Sequence, residues 1–175
     1  MVLGILHDTD EAHGYTILQK LNSWQAETWT AIKPGSVYHA LGQFEKHHLA
    51  ENLGSKQGGG PAATGYRITQ KGKDELYTLV EKALVSYDQE EFAAGLAWMH
   101  ILSRSKAVEL AGQRLTAYHE ICAFMDTLPR DDIPEEPSRH PEIIGSWQAI
   151  FTATTKWQED FMKRIENGAY KFSDD

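Results

Sequence analysis

The chain has 175 residues, a net charge of −8 and 41% hydrophobic residues, which suits one or two small domains. Cys122 is the only cysteine, so an internal disulfide and a thiolate metal cluster are both excluded. No signal peptide is evident and no apolar run is long enough to span a bilayer as a helix, which predicts a cytoplasmic protein with no membrane partner.

In chain order, Val2 to Leu6 predicts a short first helix. His13-Gly14-Tyr15 opens a second, with Ile17, Leu18 and Leu21 as its buried stripe and Gln19 and Lys20 outward. It ends near Ser23-Trp24, and a loop follows in which Trp29 and Ile32 plug the junction. Lys33-Pro34-Gly35-Ser36 then enters a third helix, because proline is suited to a first helical turn. Val37, Leu41 and Phe44 anchor that helix, while Ser36, His39, Gln43, Lys46 and His47 lie mainly on its other sides. A short helix with an apolar anchor and a small, polar outer face can lie in a DNA major groove.

Leu49 to Leu53 and Gly65 to Thr69 predict two strands, joined by a Gly-rich connector into a hairpin whose tip carries Lys56. Thr69 is placed as the N-cap of the next helix. Helix, helix, hairpin, helix is the order of a winged helix-turn-helix. Over residues 13–72 six lysines and arginines face three glutamates, a net of +3, so the remainder carries −11. A basic island on an acidic chain fits a phosphate-binding face.

Residues 3–76 resemble the PadR family of bacterial transcriptional regulators. The matching pieces are Leu3-Gly4-Ile5-Leu6, His13-Gly14-Tyr15, Lys33 through Leu41, Phe44-Glu45, and Tyr66-Arg67-Ile68-Thr69 with Gly72. The resemblance implies a homodimeric winged-helix DNA-binding protein, usually a repressor and often released by a small molecule. Two departures stand out. The family usually has more residues before its first helix, and its wing often carries arginines where this chain has Pro61-Ala62-Ala63-Thr64.

Beyond Gln70 the helical period runs through Leu76, Leu79, Val80, Ala83 and Leu84, then through Phe92, Leu96, Met99 and Leu102. Ser103 or Ser105 caps a helix carrying Val108, Ala111, Leu115, Tyr118, Cys122 and Met125. Residues 129–141 hold four prolines and an acidic run, and predict an extended loop. A last helix carries Ile143, Trp147, Ile150, Phe151, Thr154, Trp157, Phe161 and Ile165, and Gly168 is placed to end it. The expected fold class is therefore mainly α. It comprises a winged-helix domain over 1–72, a helical dimerisation and effector region over 73–168, and a tail over 169–175.

The candidate DNA-binding residues are Lys20, Lys33, Ser36, Tyr38, His39, Gln43, Lys56 and Arg67, with an inverted-repeat duplex as partner. Trp98, Trp147 and Trp157 can stack on a planar aromatic effector, with Phe92 and Met99 beside them; the plainer alternative is that each packs a core or an interface. Catalytic, metal and cofactor sites are not expected. Ser36 near His39, and His119-Glu120, lie outside any nucleophile-elbow context. Gly58-Gly59-Gly60 lacks the Gly-Lys-Ser/Thr ending of a phosphate loop. The competing reading is an effector-free protein-interaction module whose weakened wing has lost DNA affinity.

Overall fold

The computed structural model describes residues 1–9, 11–56, 63–128 and 140–175, the side chains of 55, 56, 63 and 140 excepted. The connector 57–62 and most of the proline-rich stretch, 129–139, lie outside the described residues. So do the Gly58-Gly59-Gly60 run, the Pro61-Ala62 departure and the side chain of Lys56. The described residues form two compact units, 1–83 with 87–98, and 84–86 with 99–175.

The first unit begins with α1 (Val2–His7), β1 (Ala12–His13), α2 (Gly14–Ser23) and α3 (Pro34–Lys46). It continues with β2 (Ala50–Lys56), β3 (Ala63–Ile68), α4 (Gln70–Leu84) and α5 (Gln89–Trp98). The hairpin β2–β3 gains a third strand: β1 pairs antiparallel with β3, giving the order β1-β3-β2. Between the pairs Asn52↔Tyr66 and Ser55↔Thr64 the register shifts. Leu53 and Gly54 there oppose one residue, and Gly54 takes a positive φ of 77° that suits a glycine bulge.

Local chemistry explains the helix boundaries. Thr69 accepts the Gly72 amide at 3.0 Å, as an N-cap does. The α4 start lies so close to Leu49 that a Cβ on Gly72 would run into the Leu49 carbonyl oxygen. Val37 and Leu41 are 0% and 1% exposed and seat α3 on the apolar core formed with Leu6, Ile17, Leu21 and Ile68. Trp98, at the end of α5, is 1% exposed. Its ring covers Gly4 so tightly that any Cβ there would collide with it, and its indole N–H donates to Asp8 at 3.0 Å.

The second unit is built on α6 (Arg104–Asp126) and α7 (His140–Glu166). Ser103 caps α6, accepting the Lys106 amide at 3.2 Å. Gly168, at φ 74°, ends α7 with the paired bonds Gly168 N–H to Ile165 O and Ala169 N–H to Arg164 O. The buried polar centre of this unit is Arg114. It donates to Gln158 Oε1 (2.9 Å), the Tyr118 hydroxyl (3.1 Å) and the Ser86 carbonyl (3.1 Å). Residues 169–175 also dock: Phe172 is buried and Ser173 donates its amide to the Leu102 carbonyl.

Candidate nucleic-acid interface

The surface of α3 divides by period. Ser36, His39 and Gln43 stand at i, i+3 and i+7, one row on a helix, away from the buried Val37 and Leu41. Ser36 and His39 are exposed and Gln43 is half-buried. Ser36 also holds the helix start, because its hydroxyl donates to the Lys33 carbonyl (2.6 Å) and accepts the Lys33 amide (3.1 Å). A hydroxyl has one hydrogen and two lone pairs, so Ser36 keeps one lone pair free and can only accept from a ligand. A cytosine or adenine amino group in the major groove supplies such a donor.

Tyr38 is 56% exposed and its ring lies over Gly14, at the first residue of α2, where a Cβ would collide with it. The α2 start and the α3 face thus meet at one tyrosine. Tyr15 is also exposed there, at 65%, with Gln19 donating to its hydroxyl at 3.1 Å. Tyr15 was not among the sequence candidates, although its i, i+4 spacing to Gln19 is a readable pairing signal.

The basic candidates differ in how free they are. Lys33 is exposed. The Lys20 ammonium sits 5.3 Å from the Trp24 ring centre. Arg67 is paired across the sheet with Glu51 at 3.1 Å, in the register Glu51↔Arg67, so a phosphate must compete with that carboxylate. Lys71, one of the six cations counted over residues 13–72, donates to the His47 carbonyl at 3.0 Å and sets a cation at the end of α3. Below the helix, Asn52 of β2 donates to both Glu45 oxygens, at 3.3 and 3.2 Å, and ties α3 to the sheet. Burial and the nearby Glu45 carboxylate push the Tyr66 phenol up from its ordinary value.

The five effector candidates are not brought together in one unit. Phe92 and Trp98 belong to the first, and both are buried. Met99, Trp147 and Trp157 belong to the second. Trp147 is 50% exposed and stacks on Phe151 with ring centres 5.6 Å apart; Trp157 stacks on Phe161 at 4.9 Å. Met99 lines a filled interior site with Leu84, Ala107, Ala111, Phe161 and Ile165. Among the described residues no cluster of three metal-ligating side chains occurs, and no helix is long and apolar enough to cross a membrane.

Two helices and a turn, an outward polar row and a three-stranded wing sheet define a winged helix-turn-helix DNA-binding protein. Residues 2–78 match the family described as "Transcriptional regulator PadR-like family". A PadR-like transcriptional regulator from Bacillus cereus is 31% identical, over 44% of this chain and 71% of that one (TM-score 0.36). Bacillus subtilis PadR in complex with operator DNA is 20% identical, with 94% of this chain and 96% of that one covered (TM-score 0.40). The same Bacillus subtilis protein in complex with p-coumaric acid is 18% identical, covering 94% and 93% (TM-score 0.38). No curated protein matches. The chain belongs to the PadR-like family of transcriptional regulators.

Proposed function

We propose that the protein is a homodimeric repressor that reads an inverted-repeat operator and releases it when a small planar, largely apolar effector binds. The observation that carries the DNA reading is the polar row on α3, with Ser36 and His39 exposed, set on the buried anchors Val37 and Leu41. In this reading Ser36, His39 and Gln43 face base edges, and Lys33 and Tyr38 contact phosphates. Lys20, Lys56 and Arg67 add charge around the groove. A two-fold dimer sets its half-sites about 10 bp apart or at a multiple of that.

The dimer is supported by the second unit, where Ile143, Trp147 and Ile150 of α7 are each at least half exposed. Such a row of large apolar side chains is suited to burial against a second copy. The effector part is supported by Trp147 and Trp157, which present ring surface on that same unit. Release would be a shift toward a dimer with wrongly spaced heads, and a coupling of about 1–3 kcal/mol weakens operator binding about 5- to 150-fold.

The test is selection of duplexes from a random library by the full chain, with binding then measured across a salt series. Wild type should enrich an inverted repeat, and joint alanine substitution of Lys33, Tyr38 and His39 should abolish that preference. Wild-type binding by the triple variant removes this surface from consideration. For the effector, tryptophan fluorescence is monitored with a panel of planar aromatic acids. A compound that quenches it should also weaken operator binding.

A further inference from the structure

The turn between α2 and α3 is long for a helix-turn-helix, running from Trp24 to Lys33. It has a left-handed residue, Gln25 (φ 51°), and a 3-10 turn at Ala26–Thr28. Its hydrogen bonds are almost all local, such as Thr28 and Thr30 hydroxyls to Gln25 and Ala26 carbonyls. Local bonds of this kind shape the turn but do not orient the helix beyond it. Among the described residues one hydrogen bond ties the turn to a distant part of the chain: the Ala31 amide donates to the Glu90 carboxylate at 3.0 Å. Ala31 lies two residues before Lys33, the N-cap of α3.

Glu90 stands in the first turn of α5, and the last residue of α5 is Trp98. That tryptophan touches the other end of the same turn, with its ring centre 5.6 Å from that of Trp24. It is itself immobilised by Gly4 and Asp8 of the α1 region. Trp98 lies eight positions after Glu90 on the helix, about 12 Å of rise. One rigid helix therefore contacts the turn at both of its ends. It lies outside the family-matched segment 2–78, and it packs in the same unit as α3.

We infer that α5 is a splint for the helix-turn-helix, and that Glu90 is a positioning residue for the recognition helix α3, acting through the Ala31 amide. Glu90 has no part in touching DNA. A carboxylate facing the phosphate backbone would oppose binding, so its presence beside the turn is explained by what it holds.

The inference rests on the DNA-reading role of α3, and the experiment separates the two. Glu90→Ala removes the acceptor and a charge. Glu90→Gln removes the same charge but keeps an amide oxygen that can accept from Ala31. In the full chain, amide hydrogen exchange of residues 31–36 should speed up in Glu90→Ala and return to the wild-type rate in Glu90→Gln, with the β-sheet unchanged in both. On the duplex wild type selects from a random library, against a scrambled duplex of equal length, Glu90→Ala should lower the affinity ratio about fivefold. Glu90→Gln should keep that ratio within about twofold of wild type, with all three salt slopes equal. Equal behaviour of the two variants in exchange overturns the splint. So does a loss that is equal on both duplexes, since that would be a general weakening. If wild type selects no sequence at all, the DNA reading fails, while the exchange comparison still decides whether α5 holds the turn.

Discussion

The two units solve the problem of surface chemistry in opposite ways. In the first, the fully buried side chains are apolar, as with Leu6, Ile17, Val37 and Leu41. The large rings it exposes on α2 and α3 are Tyr15 and Tyr38, which keep a hydroxyl for water or a phosphate. The second unit buries Arg114 and Gln158, at 1% and 0% exposed, and leaves Phe124, Ile143, Trp147 and Ile150 half or more in the open. The surface of α2 and α3 is finished when it meets water or nucleic acid. The second presents large apolar side chains to the open, the surface on which the proposed dimer rests.

That contrast breaks most visibly at Trp147 and Ile150. Replacing both with glutamate should convert the proposed dimer into a monomer near 19.7 kDa in sedimentation. Losing the second half-site contact should then lower operator affinity about 100-fold or more. Helix content should be kept, since neither side chain is buried in its own unit. A dimer that survives the double change would mean that this row is not the interface.

Arg114 tests the inverted interior. Arg114→Ala leaves the Gln158 oxygen, the Tyr118 hydroxyl and the Ser86 carbonyl without the guanidinium that joins them. The expected cost is about 3 kcal/mol, read by denaturant unfolding. A cost under about 1 kcal/mol would show that the cluster is replaceable by packing alone.

Two glycines sharpen the same contrast within the first unit. At Gly72 a Cβ meets the backbone oxygen of Leu49, which cannot swing aside; at Gly14 it meets the exposed ring of Tyr38, which can. Gly72→Ala should cost about 2 kcal/mol of stability, whereas Gly14→Ala should cost under about 1 kcal/mol. The Gly14 variant should instead displace Tyr38 and weaken all DNA by a few-fold, with sequence preference retained.

What could be read in the sequence was local in its physics. The α2 and α3 stripes, the caps Thr69 and Ser103 and the stop at Gly168 each depend on side chains within one or two turns. The row Ser36, His39, Gln43 was legible for that reason too. Strand β1 was not, because two residues form a strand only where β3 offers an edge to them. The direction of Arg114 was hidden as well. It stands in a helix of otherwise apolar period, and its partners Ser86 and Gln158 are 28 and 44 residues away. The tie from Glu90 to Ala31 spans 59 residues and has no sequence signature. Nor did the sequence place Trp98 beneath α1, since a tryptophan on a helical stripe looks the same whether it lines a ligand site or seals a core.

The smallest expected effect lies in residues 169–175. Asp175 accepts from the Arg104 guanidinium with both oxygens, at 2.9 and 2.6 Å, and from the Phe172 amide at 2.9 Å. Arg104 reaches from there to the carbonyls of Ile165 and Tyr170 and lies 4.9 Å from the Phe172 ring centre, so one guanidinium joins the end of α7 to the start of α6. The Arg104 hydrogen bonds, and then that from Phe172, hold the Asp175 carboxyl below its ordinary value. A group whose folded value is depressed stabilises the fold above its unfolded pKa, near 4, and loses that contribution as pH falls through the folded value. Asp175→Asn should therefore lower the melting temperature slightly at neutral pH, and the gap from wild type should close in acid. The screened, exposed setting keeps the effect small, and added salt should narrow it further. Melting curves of both proteins between about pH 7 and pH 3 read this directly. A gap that stays constant across that range would mean that the aspartate holds the chain end by shape and not by charge.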